Sequence, residues 1–209
     1  MKKLAFILTF CITLNGFGQE INLSKHLKSN SIDVINRQIT AYELDGVELD
    51  AKEGDGLAIL DSIHFKKGTI NLKIKGENAP GKSFVGLAFN VQNDSTYEAV
   101  YFRPFNFVAE DSFRKNHMVQ YIAHPVYTWD KLRQERTDEF EGELKTPPSP
   151  DDWFFAKIEL LNEKVRVYIN EEKNPVFVVD RLAKPESGKI ALWTGHESSG
   201  RFKELVIYN

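Results

Sequence analysis

Residues 153–170, WFFAKIELLNEKVRVYIN, decide the fold because they contain two short runs in which apolar and polar side chains alternate. In the second run, Val165, Val167 and Ile169 share one side of an extended chain, and the residues between them share the other. This period of two is typical of a strand with one face in a core and one face in solvent. The stretch therefore predicts a pair of antiparallel strands.

Runs of the same kind recur along the chain, with turn residues such as Asp45-Gly46 and Asn93-Asp94 between them. Several short strands at this spacing, with almost no helical periodicity, predict an all-β protein, an antiparallel β-sandwich of jelly-roll type. A short helix is expected at 24–30, and residues 129–140 are expected to form a loop with one turn. The predicted strands are 37–44, 56–60, 68–74, 83–91, 97–103, 117–123, 153–161, 165–170, 176–179, 188–193 and 202–208.

The N-terminus has the pattern of a cleaved export signal. Lys2 and Lys3 precede the apolar run 4–14, and the small residues Gly16 and Gly18 follow it. This run is well short of the roughly 20 apolar residues that span a membrane, and no second candidate follows, so no transmembrane anchor is predicted. We therefore expect an exported protein, located in the periplasm, on the outer surface or in the medium.

The domain prediction has three parts: a signal peptide at 1–18, an N-terminal lead-in at 19–36 and one sandwich domain at 37–209. Removal of the signal would remove Cys11, the only cysteine, so the mature protein is expected to contain no disulfide and no thiol nucleophile. The formal net charge of −3 argues against a nucleic-acid partner, whereas a protein partner stays open.

Residues 97–130 combine aromatic side chains with arginine, histidine and amide side chains more densely than a core requires. By strand alternation, Tyr101 and Arg103 share one face, whereas Val100, Phe102 and Phe105 are predicted to lie in the core. Sugar sites combine an aromatic platform with planar amide and guanidinium groups. The predicted ligand-binding residues are Tyr101, Arg103, Asn106, Arg114, Gln120, His124 and Trp129.

The neighbouring run, residues 84–91, places Gly86, Ala88 and Asn90 on the face opposite to its large apolar side chains. Small residues leave room above a sheet. If this run pairs with 97–103, the small residues would line the same surface as Tyr101 and Arg103. The sequence thus predicts an open site on a sheet face.

The C-terminal half contains WFFAKI at 153–158, VRVYIN at 165–170, PVF at 175–177, GKIALW at 188–193 and GRFKELVI at 200–207. This order of elements resembles the concanavalin A-like lectin/glucanase superfamily, in its laminin-G-like and 3-keto-disaccharide hydrolase-like (family-16-glycoside-hydrolase-like) branches. YFRPFN at 101–106 resembles an exported bacterial subgroup of that superfamily. The resemblance implies a protein that binds or processes carbohydrate on the concave sheet face; a glycan hydrolase or lyase and a laminin-G-like adhesion module are the alternatives.

Catalysis is left undecided by the sequence. Glucanases of the superfamily carry a Glu-x-Asp-x-x-Glu arrangement that is not found here. The nearest string is EFEGE at 139–143, which is interpreted as a solvated acidic edge. The candidates for acid/base chemistry are His124 and His117, with Arg103 neutralising a substrate carboxylate or a developing oxyanion.

No metal site and no cofactor are predicted. His117 and His124 are seven residues apart, so a regular strand would place them on opposite faces. A structural calcium ion stays possible, because aspartate and glutamate oxygens are frequent between residues 45 and 61 without forming a spaced loop. Trp153 and Trp193 are interpreted as core or edge residues.

Overall fold

The computed structural model describes residues 18–209, so the predicted signal peptide lies outside the described residues except for Gly18. Within this range the chain forms three short helices, α1 (Leu23–Lys28), α2 (Ser112–Lys115) and α3 (Trp129–Glu135), and a 3-10 turn at Pro104–Asn106. The strands are β1 (Gln19–Ile21), β2 (Ile32–Ile35), β3 (Ile39–Tyr42), β4 (Gly46–Leu49), β5 (Gly56–Phe65), β6 (Gly68–Lys75), β7 (Val85–Val91), β8 (Tyr97–Phe102), β9 (Val119–His124), β10 (Glu141–Gly142), β11 (Phe154–Leu160), β12 (Lys164–Ile169), β13 (Phe177–Asp180), β14 (Gly188–Thr194) and β15 (Gly200–Tyr208).

The strands form two antiparallel sheets. Sheet A has the order β13-β12-β11-β6-β15-β4-β3, with β1 also paired to β15. Sheet B has the order β10-β9-β8-β7-β14-β5-β2. The predicted all-β sandwich is therefore confirmed, and residues 153–170 form the expected antiparallel pair β11 and β12.

The two sheets pack face to face over an apolar core. In β11, every second residue from Phe154 to Leu160 is buried. Phe102 of β8 contacts Phe154 across the core, with ring centroids 5.0 Å apart. Because successive side chains of a strand point to opposite faces, Val100 and Phe102 face sheet A and Tyr101 faces away from it. The predicted core positions Val100 and Phe102 are confirmed.

The central strands of sheet B are buried on both faces. Every residue of β7 and β8 is buried, as are the first five residues of β9. Sheet A covers only one of these faces. The outer face is covered by residues 103–118, between β8 and β9, and by residues 125–140, between β9 and β10.

Some elements differ from the sequence predictions. Residues 129–140 contain the helix α3, which buries only Leu132 and therefore shows little helical periodicity in its sequence. The predicted lead-in, 19–36, contributes β1 to sheet A and β2 to sheet B. The strands β1, β2, β4 and β10 were not predicted, because they are two to four residues long, which is too short for alternation to identify a strand.

Phe105 is only partly buried, so its assignment to the core is wrong. Pro104 begins a 3-10 turn directly after β8, and the alternation of a strand does not continue through a turn. Phe105 instead packs edge-on against Phe84, with ring centroids 5.5 Å apart, on the outer side of sheet B.

A buried ion pair joins the two sheets at one end of the core. The side chains of Glu98 and Arg181 are 0% and 1% exposed. Arg181 donates from Nε to Glu98 at 3.0 Å and from Nη1 to the backbone oxygen of Leu161 at the end of β11. Tyr121 and Asn90 donate to the same carboxylate at 2.5 and 2.8 Å. Burial and the adjacent Glu98 carboxylate raise the pKa of Tyr121, which keeps its hydroxyl a donor.

Replacing Arg181 with Met should lower the free energy of unfolding by about 3–5 kcal/mol, because the Glu98 carboxylate would stay buried without its counter-charge. Urea unfolding followed by intrinsic fluorescence measures this change. Lys73→Met is the control, since its pair with Glu204 is exposed and worth at most about 1 kcal/mol. Equal losses in the two variants would contradict a special role for the buried pair.

Candidate functional site

A row of side chains crosses the outer face of sheet B because the strand register aligns them. Trp193 of β14 pairs with Gly86 of β7, and Gly86 pairs with Tyr101 of β8. Tyr101 pairs with Gln120 of β9, and Gln120 pairs with Glu141 of β10. Five strands thus place one residue each in a single line.

Gly86 makes the aromatic part of this row possible. A Cβ atom at Gly86 would lie 2.8 Å from the Cβ of Tyr101, so a larger residue would not fit. The rings of Tyr101 and Trp193 stack over this position with centroids 4.7 Å apart. Of the small residues predicted to share one face of β7, Gly86 therefore lies at the base of an aromatic floor, whereas Asn90 donates to the Glu98 carboxylate between the two sheets.

A pocket of about 520 Å³ lies above this floor. Phe105, Asn106, Phe113 and Arg114, from the segment between β8 and β9, line one wall. Trp129 and Arg133 of α3 line the next wall, and the guanidinium of Arg133 lies 5.1 Å from the Trp129 ring. The remaining boundary is formed by Asp55, Gly81, Phe84, Gly195 and His196.

One end of the pocket is organised by the buried carboxylate of Glu141, whose side chain is 3% exposed. Arg103 Nη2 and His117 Nε2 lie 3.0 and 2.9 Å from its two oxygens. Arg133 donates to both oxygens, from Nε at 3.0 Å and from Nη2. Glu141 itself does not line the pocket, so its carboxylate fixes the side chains that do.

Arg103 connects this carboxylate to the floor. It donates through Nη2 to the Tyr101 hydroxyl at 2.9 Å and to Gln120 Oε1, and through Nη1 to the backbone oxygen of His117 at 3.1 Å. Tyr101 in turn donates to Gln120 Oε1. Burial raises the pKa of Tyr101 to about 12, against the opposing effect of the Arg103 charge. The hydroxyl therefore stays protonated at neutral pH.

The opposite end of the pocket contains Asp55. Tyr97 donates to its Oδ2 at 3.1 Å, and Trp193 Nε1 donates to the Tyr97 hydroxyl at 3.3 Å. Burial raises the pKa of the Asp55 carboxyl, although the charges of His124, Arg37 and His196 and the bond from Tyr97 act in the opposite direction. Burial also lowers the pKa of His124, whose ring stacks on Tyr97 at 4.9 Å.

The structure brings most of the predicted ligand-binding residues together. The five that line the pocket are Tyr101, Arg103, Asn106, Arg114 and Trp129. Gln120 lies beneath them, bound to Tyr101 and Arg103, and His124 lies outside the lining, against Tyr97. Of the catalytic candidates, His117 lines the pocket with both ring nitrogens facing oxygen atoms, those of Glu141 and of the Phe113 backbone.

Sequence reasoning missed Glu141, Arg133 and Asp55. The interpretation of 139–143 as a solvated acidic edge is wrong for Glu141, because β10 pairs with β9 and draws this carboxylate under two arginines. The period of two in EFEGE would place its three glutamates on one side if the segment were extended, but the sequence showed neither that it forms a strand nor which strand it pairs with. Trp193 is both buried and part of the pocket floor, whereas Trp153 packs against Tyr42 on sheet A.

Among residues 18–209, no group of three or more histidine, cysteine, aspartate or glutamate side chains is placed to hold a metal ion. In the same range, no helix is long and apolar enough to cross a membrane.

Neither a protein-family model nor a curated protein sequence matches this chain. Solved structures do match it. A carbohydrate-binding module, CBM66 from Bacillus subtilis, aligns over 86% of this chain and 96% of its own with a TM-score of 0.62 and 13% identity. The exoplasmic/lumenal domain of VIP36, in a form bound to Ca²⁺ and Man3GlcNAc, covers 90% of this chain and 86% of its own, with a TM-score of 0.60 and 12% identity.

The β-glucanase of Bacillus licheniformis also matches, over 93% of this chain and 99% of its own, with a TM-score of 0.57 and 8% identity. At such low identities these similarities establish the fold and do not transfer an activity. The two antiparallel sheets and these structural neighbours together show that the chain has the fold of the concanavalin A-like jelly-roll superfamily.

Proposed function

We propose that this protein is exported and binds a glycan in the pocket on the outer face of sheet B. The observation that carries the proposal is the combination of exposed aromatic rings with fixed guanidinium and amide groups in one cavity. Phe113 and Trp129 line the pocket and are 66% and 49% exposed. Exposed apolar side chains that are grouped at one site, as these two are, mark interaction sites more often than isolated ones do.

The chemistry of the pocket suits a sugar. The apolar C–H face of a pyranose packs on an aromatic ring, and its hydroxyl groups need polar partners at fixed positions. Trp129 and Phe113 supply rings at the rim, while Asn106 and Arg103 lie deeper and are held by hydrogen bonds to the His117 backbone. The volume of about 520 Å³ is within the usual range for small-ligand sites.

The structural neighbours support the same proposal at the level of the fold. One is described as a carbohydrate-binding module, one was solved with Man3GlcNAc and one is a glucanase. The signal-like residues 1–18 support export, which would bring the protein into contact with extracellular polysaccharides.

Glycan cleavage is a second candidate function, and Asp55 favours it. A general acid at neutral pH needs a carboxyl group with a raised pKa, and burial raises the pKa of Asp55 in the pocket. His124 lies beside it as a second titrating group. In contrast, Arg103 and His117 are engaged by Glu141, which suits them to ligand positioning.

Trp129→Ala should weaken polysaccharide binding by roughly threefold to tenfold, because it removes one stacking platform worth about 0.5–1.5 kcal/mol. Affinity electrophoresis over a panel of polysaccharides, followed by calorimetry with the best ligand, measures the change. Trp153→Ala is the matched control, since it removes an indole that packs against Tyr42 on sheet A. Unchanged binding in the Trp129 variant, or equal losses in both, would contradict the assigned site.

If the protein cleaves its glycan, Asp55→Asn should abolish the release of reducing ends while binding is retained. Asp94→Asn, which removes an exposed carboxylate from the turn between β7 and β8, should keep full turnover. A time course of reducing-end release over days, with wild type and both variants, is the measurement. Full turnover by the Asp55 variant would exclude this residue as the acid.

Asp55 should also affect how stability depends on pH. Its raised pKa means that the folded state takes up a proton at higher pH than the unfolded state, whose aspartates titrate near about 3.9. Ionised Asp55 therefore costs stability above its raised pKa, and this cost is relieved as the pH falls through it. The free energy of unfolding of wild type should rise relative to that of Asp55→Asn as the pH is lowered from 7 toward about 4.

Urea unfolding at several pH values measures this difference, and Asp94→Asn again controls for loss of one carboxylate. Repeating the comparison in a His124→Gln background removes the titration of the neighbouring imidazole. A difference that stays constant with pH in both backgrounds would show that the Asp55 carboxyl is not desolvated.

A further inference from the structure

We infer that the glycan bound by this pocket is acidic, and that a carboxylate on a sugar ring is recognised at the end formed by Arg103 and Arg133. This inference rests on the proposed function and specifies its ligand class. It is carried by the charge balance around Glu141, by unpartnered polar atoms at the pocket and by the position of Arg133.

The first observation is an excess of positive charge. Two guanidinium groups, those of Arg103 and Arg133, converge on the single carboxylate of Glu141. The other partners of Arg103 are uncharged: the Tyr101 hydroxyl, the Gln120 amide oxygen and a backbone oxygen. One positive charge is therefore left without a counter-charge at this end, even if His117 carries none.

The other charges near the pocket do not balance this excess. Arg114 forms an ion pair with Asp111, three residues before it in the chain. At the far end the charges of His124, Arg37 and His196 act on Asp55, and the Arg37 guanidinium is fixed by the oxygens of Thr194 and Gly195. Buried or partly buried charges are normally paired, because taking an ion out of water is costly. A ligand carboxylate would supply the missing partner.

The second observation concerns polar atoms that lack partners. Asn106 is 3% exposed and donates to the His117 backbone at 2.9 Å, yet its Oδ1 has no hydrogen-bond partner among the described residues. Gln120 Nε2, beneath the floor, also lacks one within residues 18–209. Buried amide groups rarely leave a polar atom unsatisfied. Because Asn106 lines the pocket, its amide group borders the space that a bound sugar would occupy.

The third observation is the position of Arg133. Its Nε and Nη2 are bound to Glu141, and its Nη1 takes part in no hydrogen bond with the described residues. The guanidinium lies over the Trp129 ring, 5.1 Å from its centroid, and lines the pocket with a side chain that is 29% exposed. A carboxylate on a sugar ring in the pocket, as in a hexuronic acid, would therefore meet an Nη1 donor that has no partner among the described residues.

The test compares two ligands that differ only in charge. Pectate and fully methyl-esterified pectin share one backbone, but the ester masks each carboxylate. Calorimetry or affinity electrophoresis with the full chain should show roughly tenfold or greater preference for pectate, or for alginate as a second polyuronate. Rising salt should weaken this binding, because charge pairs at a partly exposed site are screened. Dextran and dextran sulfate serve as the neutral and the sulfated reference.

Arg133→Gln should lower the affinity for the polyuronate roughly tenfold or more, since it removes a charge-assisted contact and retains an amide. Arg133→Lys should recover part of this loss because it restores the charge without the fork. Arg166→Gln is the control: this arginine lies on β12 of sheet A, is exposed and pairs with Glu159 at 3.3 Å. Thermal unfolding of each variant shows whether the fold is retained.

The outcomes separate the two proposals. Equal binding of pectate and its methyl ester, binding of dextran sulfate without any polyuronate, or an Arg133→Gln variant with unchanged pectate affinity would overturn the acidic-ligand inference while glycan binding stands. Absence of binding to all of these polysaccharides would overturn both.

Discussion

The architecture of this protein depends on one constraint: the central strands of sheet B must be covered on two faces. Nearly every residue of β7, β8 and β9 is buried, and sheet A can cover only the inner face. The connections on either side of β9 are therefore long and fold back over the outer face. Because they cover this face incompletely, a pocket is left above Tyr101 and Trp193. The pocket is therefore a consequence of how the two connecting segments bury the outer face of sheet B.

Glu141 determines how the charged side chains of the pocket are arranged, just as the burial of both faces of sheet B determines the shape of the pocket. A carboxylate that is almost fully buried is stable only when cations and hydrogen-bond donors surround it. Here those partners come from both covering segments: Arg103 and His117 lie at the two ends of residues 103–118, and Arg133 belongs to α3. The carboxylate thus joins the segments that cover sheet B and fixes the side chains that line the pocket. Its two arginines carry more positive charge than one carboxylate can neutralise, and this excess is the basis of the proposed acidic ligand.

The concanavalin A-like fold by itself leaves the activity undetermined, since similar sandwiches bind or cleave glycans. The difference lies in the side chains on the outer sheet face. In this chain, residues 139–143 are the string that comes nearest to the glucanase motif, and the carboxylate of Glu141 within it is bound by two arginines. At the opposite end of the pocket, burial raises the pKa of Asp55. The proposed glycan binding would therefore rest on the arginine end and the aromatic rim, and any acid chemistry would rest on the Asp55 end.

The sequence by itself determined the fold class, and it determined which side chains of residues 97–103 point toward the core and which point away from it. Alternation in 153–170 predicted β11 and β12, and alternation in 97–103 placed Tyr101 opposite to Val100 and Phe102, because side-chain parity is a local property of an extended chain. Tertiary structure alone decided which strands are neighbours. The pairing of β10 with β9 and of β14 with β7 brought Glu141 and Trp193 to the row that contains Tyr101. Such register is set by long-range packing and loop geometry, which no short stretch of sequence encodes.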